Sequence, residues 1–161
     1  MGTLASTLTA LQGRKVYFDT NIFVYVLEDN KEFLARSFPF FQAVEAGRIT
    51  GVSGDLVMAE LLVKPMMNND LIAIEKTETL FDSEQGYFQA LPHDRAALRL
   101  AAHIRATQKL SIIDAVHVAT AIKAGCSHFI TNDERIAERA KGIEVIRLSS
   151  ITQAAAGASP A

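Results

Sequence analysis

Five short apolar runs, each followed or preceded by a longer stretch with helical spacing, constrain this chain more than any other feature. Val16-Tyr17-Phe18, Ile49 to Val52, Tyr87 to Leu91, His128 to Ile130 and Glu144 to Ile146 read as strands. Between them, Asn21 to Glu28, Phe33 to Ala46, Leu56 to Val63, Leu71 to Phe81, Asp94 to Thr107, Ile112 to Ala124 and 133–140 read as helices. Gly47 and Gly125 are placed to stop two of these helices, and Pro65 is expected to end a third. Strands that alternate with helices need crossover connections, so the fold class is α/β with a mostly parallel sheet covered on both faces. The helix over 112–124 is apolar almost all round, as a helix wedged into a core should be.

The length of 161 residues suits one domain with a well-buried core, and 49% hydrophobic with 21% charged residues is globular composition. No apolar run approaches the ~20 residues of a membrane helix. The first residues lack the basic start and apolar stretch of a secretory signal. Cys126 is alone, which excludes an internal disulfide and a zinc site built on cysteine pairs. These features predict a cytoplasmic protein without a membrane contact. A net charge of −2 puts no basic field over the whole molecule. A polyanionic substrate would have to be held by local Lys or Arg and by bound cations. Arg95 with Arg99, and Arg105 with Lys109, form such i,i+4 pairs on one predicted helix, where a solvated face is the plainer explanation.

In open parallel sheets, ligands gather beyond the carboxyl ends of the strands, near the point where strand order reverses. Asp19 directly follows the first strand in FDTN, and Asp133 follows the fourth in ITND. Each could simply cap the helix that it opens. Thr20, Asn21, Thr131 and Asn132 could do that capping instead and leave the carboxylates free. Glu60 is the single polar residue in LVMAELLV, so its helix reads as largely enclosed; the competing partner is Lys64, four residues on. Asp114 follows Ser111 by three residues, which resembles a capping box, and His117 lies one turn beyond it on the same face. A core or supporting histidine is the plainer role for His117 than a metal ligand. Carboxylates that converge repel one another and need cations, and an all-oxygen set suits Mg²⁺ or Mn²⁺ better than zinc.

KVYFDTNIFVYVL, VSGDLVMAELL, LSIIDAVHVATAIKAG and HFITND, in this order and spacing, resemble the PIN-domain nucleases, and in particular the VapC-type toxins of bacterial toxin–antitoxin pairs. The resemblance runs from about Lys15 to Leu148. It implies a three-layer α/β/α sandwich, PIN-like, on a five-stranded parallel sheet of order 3-2-1-4-5. It carries the catalytic and metal-binding roles onto Asp19, Glu60, Asp114 and Asp133, with Asn21 and Thr131 as polar support beside the metal. It further implies Mg²⁺ or Mn²⁺ as cofactor, RNA as substrate, a homodimer, and a cognate antitoxin protein lying over the acidic groove. The expected organisation is an N-terminal extension over 1–14, a nuclease domain over 15–148 and a flexible tail over 149–161.

Three other readings fit less well. A housekeeping RNA-processing nuclease without an antitoxin would share the chemistry. A non-catalytic binding module would be expected to have lost an acid, and all four are present. A haloacid-type phosphatase needs an acid two residues after Asp19, where this chain has Asn21.

Overall fold

A computed structural model describes residues 2–153 of the chain. Helix α1 (Leu4–Ala10) leads into β1 (Lys15–Phe18), α2 (Thr20–Leu27), α3 (Leu34–Glu45), β2 (Thr50–Gly54), α4 (Asp55–Met67) and α5 (Leu71–Phe81). Then follow β3 (Gln89–Leu91), α6 (Arg95–Gln108), α7 (Ile112–Lys123), β4 (His128–Thr131), α8 (Glu134–Arg139), β5 (Glu144–Arg147) and a 3-10 turn over Leu148–Ser150. All strand pairs are parallel and the order is β3-β2-β1-β4-β5, the order expected. Because β1 lies between β2 and β4, the chain reverses its direction of growth at β1, and the crevice beyond β1 and β4 is the switch point.

The period-two alternation of β1 sorts the core into two layers. Val16 and Phe18 point into a layer with Ile22, Phe23, Phe40, Val57 and Phe88. Tyr17 points the other way, against Val52, Phe129 and the buried run Ala115 to Ala121 of α7. In the first layer, Phe18, Phe23, Phe41 and Phe88 meet at tilted and edge-on angles, with centroids 4.9–6.2 Å apart. Full burial of each such ring contributes roughly 1.5–3 kcal/mol. This rigid double layer fixes where the strand ends lie.

Several local expectations change. Pro65 does not end α4, which runs two residues further; it sits in the last turn, where Asn68 still donates to the Lys64 carbonyl at 3.1 Å. Nor is α4 enclosed: Val63, Met66 and Met67 are exposed. Strand β3 starts at Gln89, where pairing with Val52 begins, two residues later than expected, and Tyr87 is exposed. Within 1–14, α1 is packed on the domain, with Leu11 fully buried and Leu4 and Leu8 against the first core layer. Thr152, expected to be frayed, pairs with Thr3 and donates to the Gly2 carbonyl at 3.2 Å; residues 154–161 of the expected tail lie outside the described residues. Among the described residues, no helix is long and apolar enough to cross a membrane.

Candidate active site

The last hydrogen bond of the β1–β4 ladder places Asp19 at the centre of the sheet edge, its N–H donating to the Ile130 carbonyl at 3.0 Å. Its side chain is 6% exposed, yet no cation pairs with it among the described residues. Neutral donors hold it instead. Thr20 N–H donates to Oδ1 at 2.8 Å, and the Thr131 hydroxyl and Asn21 Nδ2 donate to Oδ2 at 2.7 and 3.3 Å. Thr131 Oγ1 also accepts from Asn21 Nδ2 and from Asp133 N–H, which uses its full bonding capacity. Asn21 Oδ1 accepts from Asn132 N–H, so the loop after β4 is stitched to α2. Burial raises the Asp19 pKa; His117, Thr131 and Thr20 pull against that, and the charge of Asp114 adds to it.

Glu60 reaches the same crevice from the second turn of α4. Its Oε2 accepts from the Thr20 hydroxyl at 2.5 Å and from His117 Nε2 at 2.9 Å. Oε1 has no partner among the described residues, so the carboxylate is anchored by one oxygen and presents the other. Lys64, the competitor expected from sequence, pairs with Glu28 at 2.6 Å instead. Burial pushes the Glu60 pKa up, but the bonds from His117 and Thr20 outweigh it and leave the group below its ordinary value.

His117 is fully buried between the two acids and β1. A carboxylate only accepts, so Nε2 carries the proton toward Glu60, and Nδ1 meets the Tyr17 hydroxyl at 2.9 Å. Burial disfavours the imidazolium, yet Glu60, Asp19 and Asp114 together raise the His117 pKa. Tyr17 keeps its proton, its pKa raised first by burial and then by Asp19 and Glu60. Gly54 makes room for this arrangement: a Cβ there would stand 3.1 Å from the Tyr17 oxygen and 2.5 Å from His93 Cε1.

The other two acids sit on the rim. Ser111 caps α7 by accepting from Asp114 N–H at 3.1 Å, but the reciprocal half of a capping box is missing. The half-buried Asp114 carboxylate therefore has no hydrogen-bond partner among the described residues, while its charge is felt at Asp19 and His117. Asp133 caps α8 through Oδ1, which accepts from Arg135 and Ile136 N–H at 2.8 and 3.2 Å; Oδ2 has no partner among the described residues. The neighbouring Thr and Asn residues thus do not relieve Asp19 and Asp133 of capping: both acids are N-caps.

The structure joins Asp19, Glu60, His117, Asn21 and Thr131 in one hydrogen-bonded network, holds Asp133 to it through Thr131, and leaves Asp114 in electrostatic reach. Among the described residues, no three His, Cys, Asp or Glu side chains close into a ready metal cage. The donor chemistry nevertheless fits a hard divalent cation: the buried Asp19 carboxylate has no ion-pair contact among the described residues, and Glu60, Asp114 and Asp133 each keep a carboxylate oxygen without a partner there. Thr20 and Tyr17 were missed as parts of the site. The signal for Tyr17 was a polar tip inside a buried strand, which must find a partner.

No curated protein matches the chain by sequence. Among solved structures, a toxin–antitoxin complex from Klebsiella pneumoniae is 19% identical, with a TM-score of 0.61 over 83% of this chain and 97% of that one. VapBC2 from Rickettsia felis, bound to a promoter DNA fragment, is 15% identical, with a TM-score of 0.63 over 83% and 98%. VapC20 from Mycobacterium tuberculosis, a toxin that cleaves the sarcin-ricin loop, is 12% identical, with a TM-score of 0.62 over 82% and 98%. These likenesses establish the fold. The sequence pattern of the PIN domain itself matches residues 16–142, which take in β2, β3, β4, all but the first residue of β1, and all four acids, and so the chain belongs to the PIN-domain family.

Proposed function

We propose that this protein is a metal-dependent endoribonuclease that hydrolyses RNA phosphodiester bonds, and that it is the toxin of a toxin–antitoxin pair. The observation that carries the reading is Asp19: a buried carboxylate at the switch point, hydrogen-bonded by neutral donors only, linked through Thr20 to Glu60 and within reach of the charge of Asp114. Such a group needs a cation to be charged there. Asp19, Glu60 through Oε1, Asp114 and Asp133 through Oδ2 would hold Mg²⁺ or Mn²⁺. Bound there, the ion supplies charge to the scissile phosphate and lowers the pKa of an attacking water. Thr131 and Asn21 keep Asp19 in place, and Thr20 and His117 keep Glu60 Oε1 turned outward. RNA-cleaving and antitoxin-bound relatives of the same fold support substrate and partner.

The test is cleavage of defined RNAs with and without metal. Hydrolysis should require Mg²⁺ or Mn²⁺ and stop when the ion is chelated. Undiminished cleavage in excess EDTA would overturn the mechanism. For the toxin role, expression alone should arrest growth, and co-expression of the adjacent gene should restore it; harmless expression of an active nuclease would contradict it.

A further inference from the structure

Helix α6 ends in a turn that gathers positive charge from two distant parts of the chain. Lys109 takes the left-handed conformation there, with φ 57°. Its carbonyl accepts from the Arg139 guanidinium at 2.9 Å, and the Leu110 carbonyl accepts from Arg105 at 2.5 Å. Lys141 is tied to the same turn through its N–H, which donates to Gln108 Oε1 at 3.0 Å. Arg105, Lys109, Arg139 and Lys141 are all exposed. Among the described residues none of them forms an ion pair, and the exposed Glu138, next to Arg139 in the chain, pairs with none of them.

The two arginines each spend an N–H on a neutral carbonyl, which fixes them without cancelling their charge. Satisfying turn carbonyls explains those two bonds. It does not explain Lys109 and Lys141, whose ammonium groups have no hydrogen-bond partner among the described residues. Position adds to the case. Lys109 lies just ahead of Ser111, which caps α7 one turn before Asp114, and Arg139 closes the helix that Asp133 opens. Six residues of α8 put Arg139 about 9 Å from Asp133 along the helix axis. By contrast, Arg95 and Arg99 begin at the far end of α6, whose 14 residues span about 21 Å.

We propose that this turn is a phosphate-binding shelf that holds the backbone of single-stranded RNA as it enters the acidic crevice. It rests on the ribonuclease reading above and names where that substrate lies. In a chain of net charge −2, a concentration of unpaired cations next to an acidic site is what a polyanion requires to approach it. Such contacts go to phosphates, so they position the strand without reading its sequence.

The test uses the Asp114→Asn protein in EDTA, which leaves the shelf residues unchanged and in which cleavage is expected to be negligible, and a labelled unstructured RNA of about twelve nucleotides. Anisotropy titrations from about 50 to 300 mM KCl give the slope of log K against log salt. Adding Lys109→Gln and Lys141→Gln should reduce the steepness of that slope by about 1.4, from roughly 0.7 per lost cation on a single strand. Adding Lys31→Gln and Arg48→Gln instead, the same charge change away from the shelf, should leave it unaltered. In the otherwise native enzyme, the shelf pair should lower kcat/KM on this RNA and keep the same metal dependence. An unchanged slope, or an equal loss in the control, would overturn the proposal. If the native protein cuts RNA while the slope is unchanged, the shelf alone fails; if it neither binds nor cuts RNA, the ribonuclease reading fails first. Binding of an acidic protein that is lost in the shelf variant, with RNA binding intact, would assign the surface to a protein partner and overturn the RNA proposal.

Discussion

Asp19 and Asp114 are the same side chain within electrostatic reach of one another, yet their surroundings are opposite. Asp19 is sealed, with three donors fixed on its oxygens and its pKa raised by burial. Asp114 is half-buried on the first turn of α7, and its carboxylate touches no donor among the described residues. Glu60 combines the two situations in one carboxylate, with Oε2 bound inward and Oε1 open. The inner acids are thus tied into the scaffold, and of the rim acids only Asp114 makes no bond that the scaffold would lose, because Asp133 caps α8. The arrangement separates carboxylate oxygens fixed by hydrogen bonds from oxygens that are free among the described residues.

The comparison breaks first on stability. Asp19→Ala strands the Thr131 O–H and the Thr20 N–H and takes one of two acceptors from Asn21 Nδ2, and should cost about 2–4 kcal/mol by urea unfolding in EDTA. Asp114→Ala should stay within about 0.5 kcal/mol of wild type under the same conditions. Equal losses at the two positions would remove the distinction.

A second measurement follows the metal-free protein with pH. The raised His117 pKa contributes stability that is fully present below its ordinary 6.5 and is lost as pH rises through the folded value. The lowered Glu60 pKa contributes stability present above its ordinary 4.5 and lost as pH falls through the folded value. Asp19, raised from 3.8, has the opposite sign to Glu60: it erodes stability as pH climbs toward its folded pKa. Melts in EDTA should therefore show a decline above about pH 6.5 that His117→Gln abolishes. A decline of the same size in the variant would detach His117 from Glu60.

The smallest effect concerns Asp133. Asp133→Ala should lose about 0.5–2 kcal/mol with the α8 cap, while Asp133→Asn, an equally good cap, should lose only a few tenths. If Asp133 also serves the metal, Asp133→Asn should lower cleavage although it melts like wild type. A variant that keeps both stability and cleavage would leave Asp133 as a cap alone.

How far sequence reaches follows the same division. The strands were legible because Val16-Tyr17-Phe18 and its counterparts are short apolar runs, and the sheet order came with the resemblance. Asp19 and Asp133 were legible as acids that follow strands. The partners of Glu60 were not, since Thr20 lies 40 residues away and His117 57, while sequence proximity favours Lys64. The exposure of α4 was hidden for a related reason: Val63, Met66 and Met67 are apolar residues on a solvent face, so composition alone suggested enclosure. Pro65 misled because a proline signals an ending, but near a C-terminus the helix sacrifices one hydrogen bond and continues.

The most direct test of the four-acid site is the cleavage rate of Asp114→Asn against wild type, on one defined RNA at saturating Mg²⁺, with both proteins matched in thermal stability without metal. The substitution removes a charge and a free oxygen while leaving the Ser111 cap to the backbone intact. Cleavage should fall by about 100-fold or more, with the melting temperature in EDTA level or slightly higher. A variant that cuts at the wild-type rate would contradict the assignment.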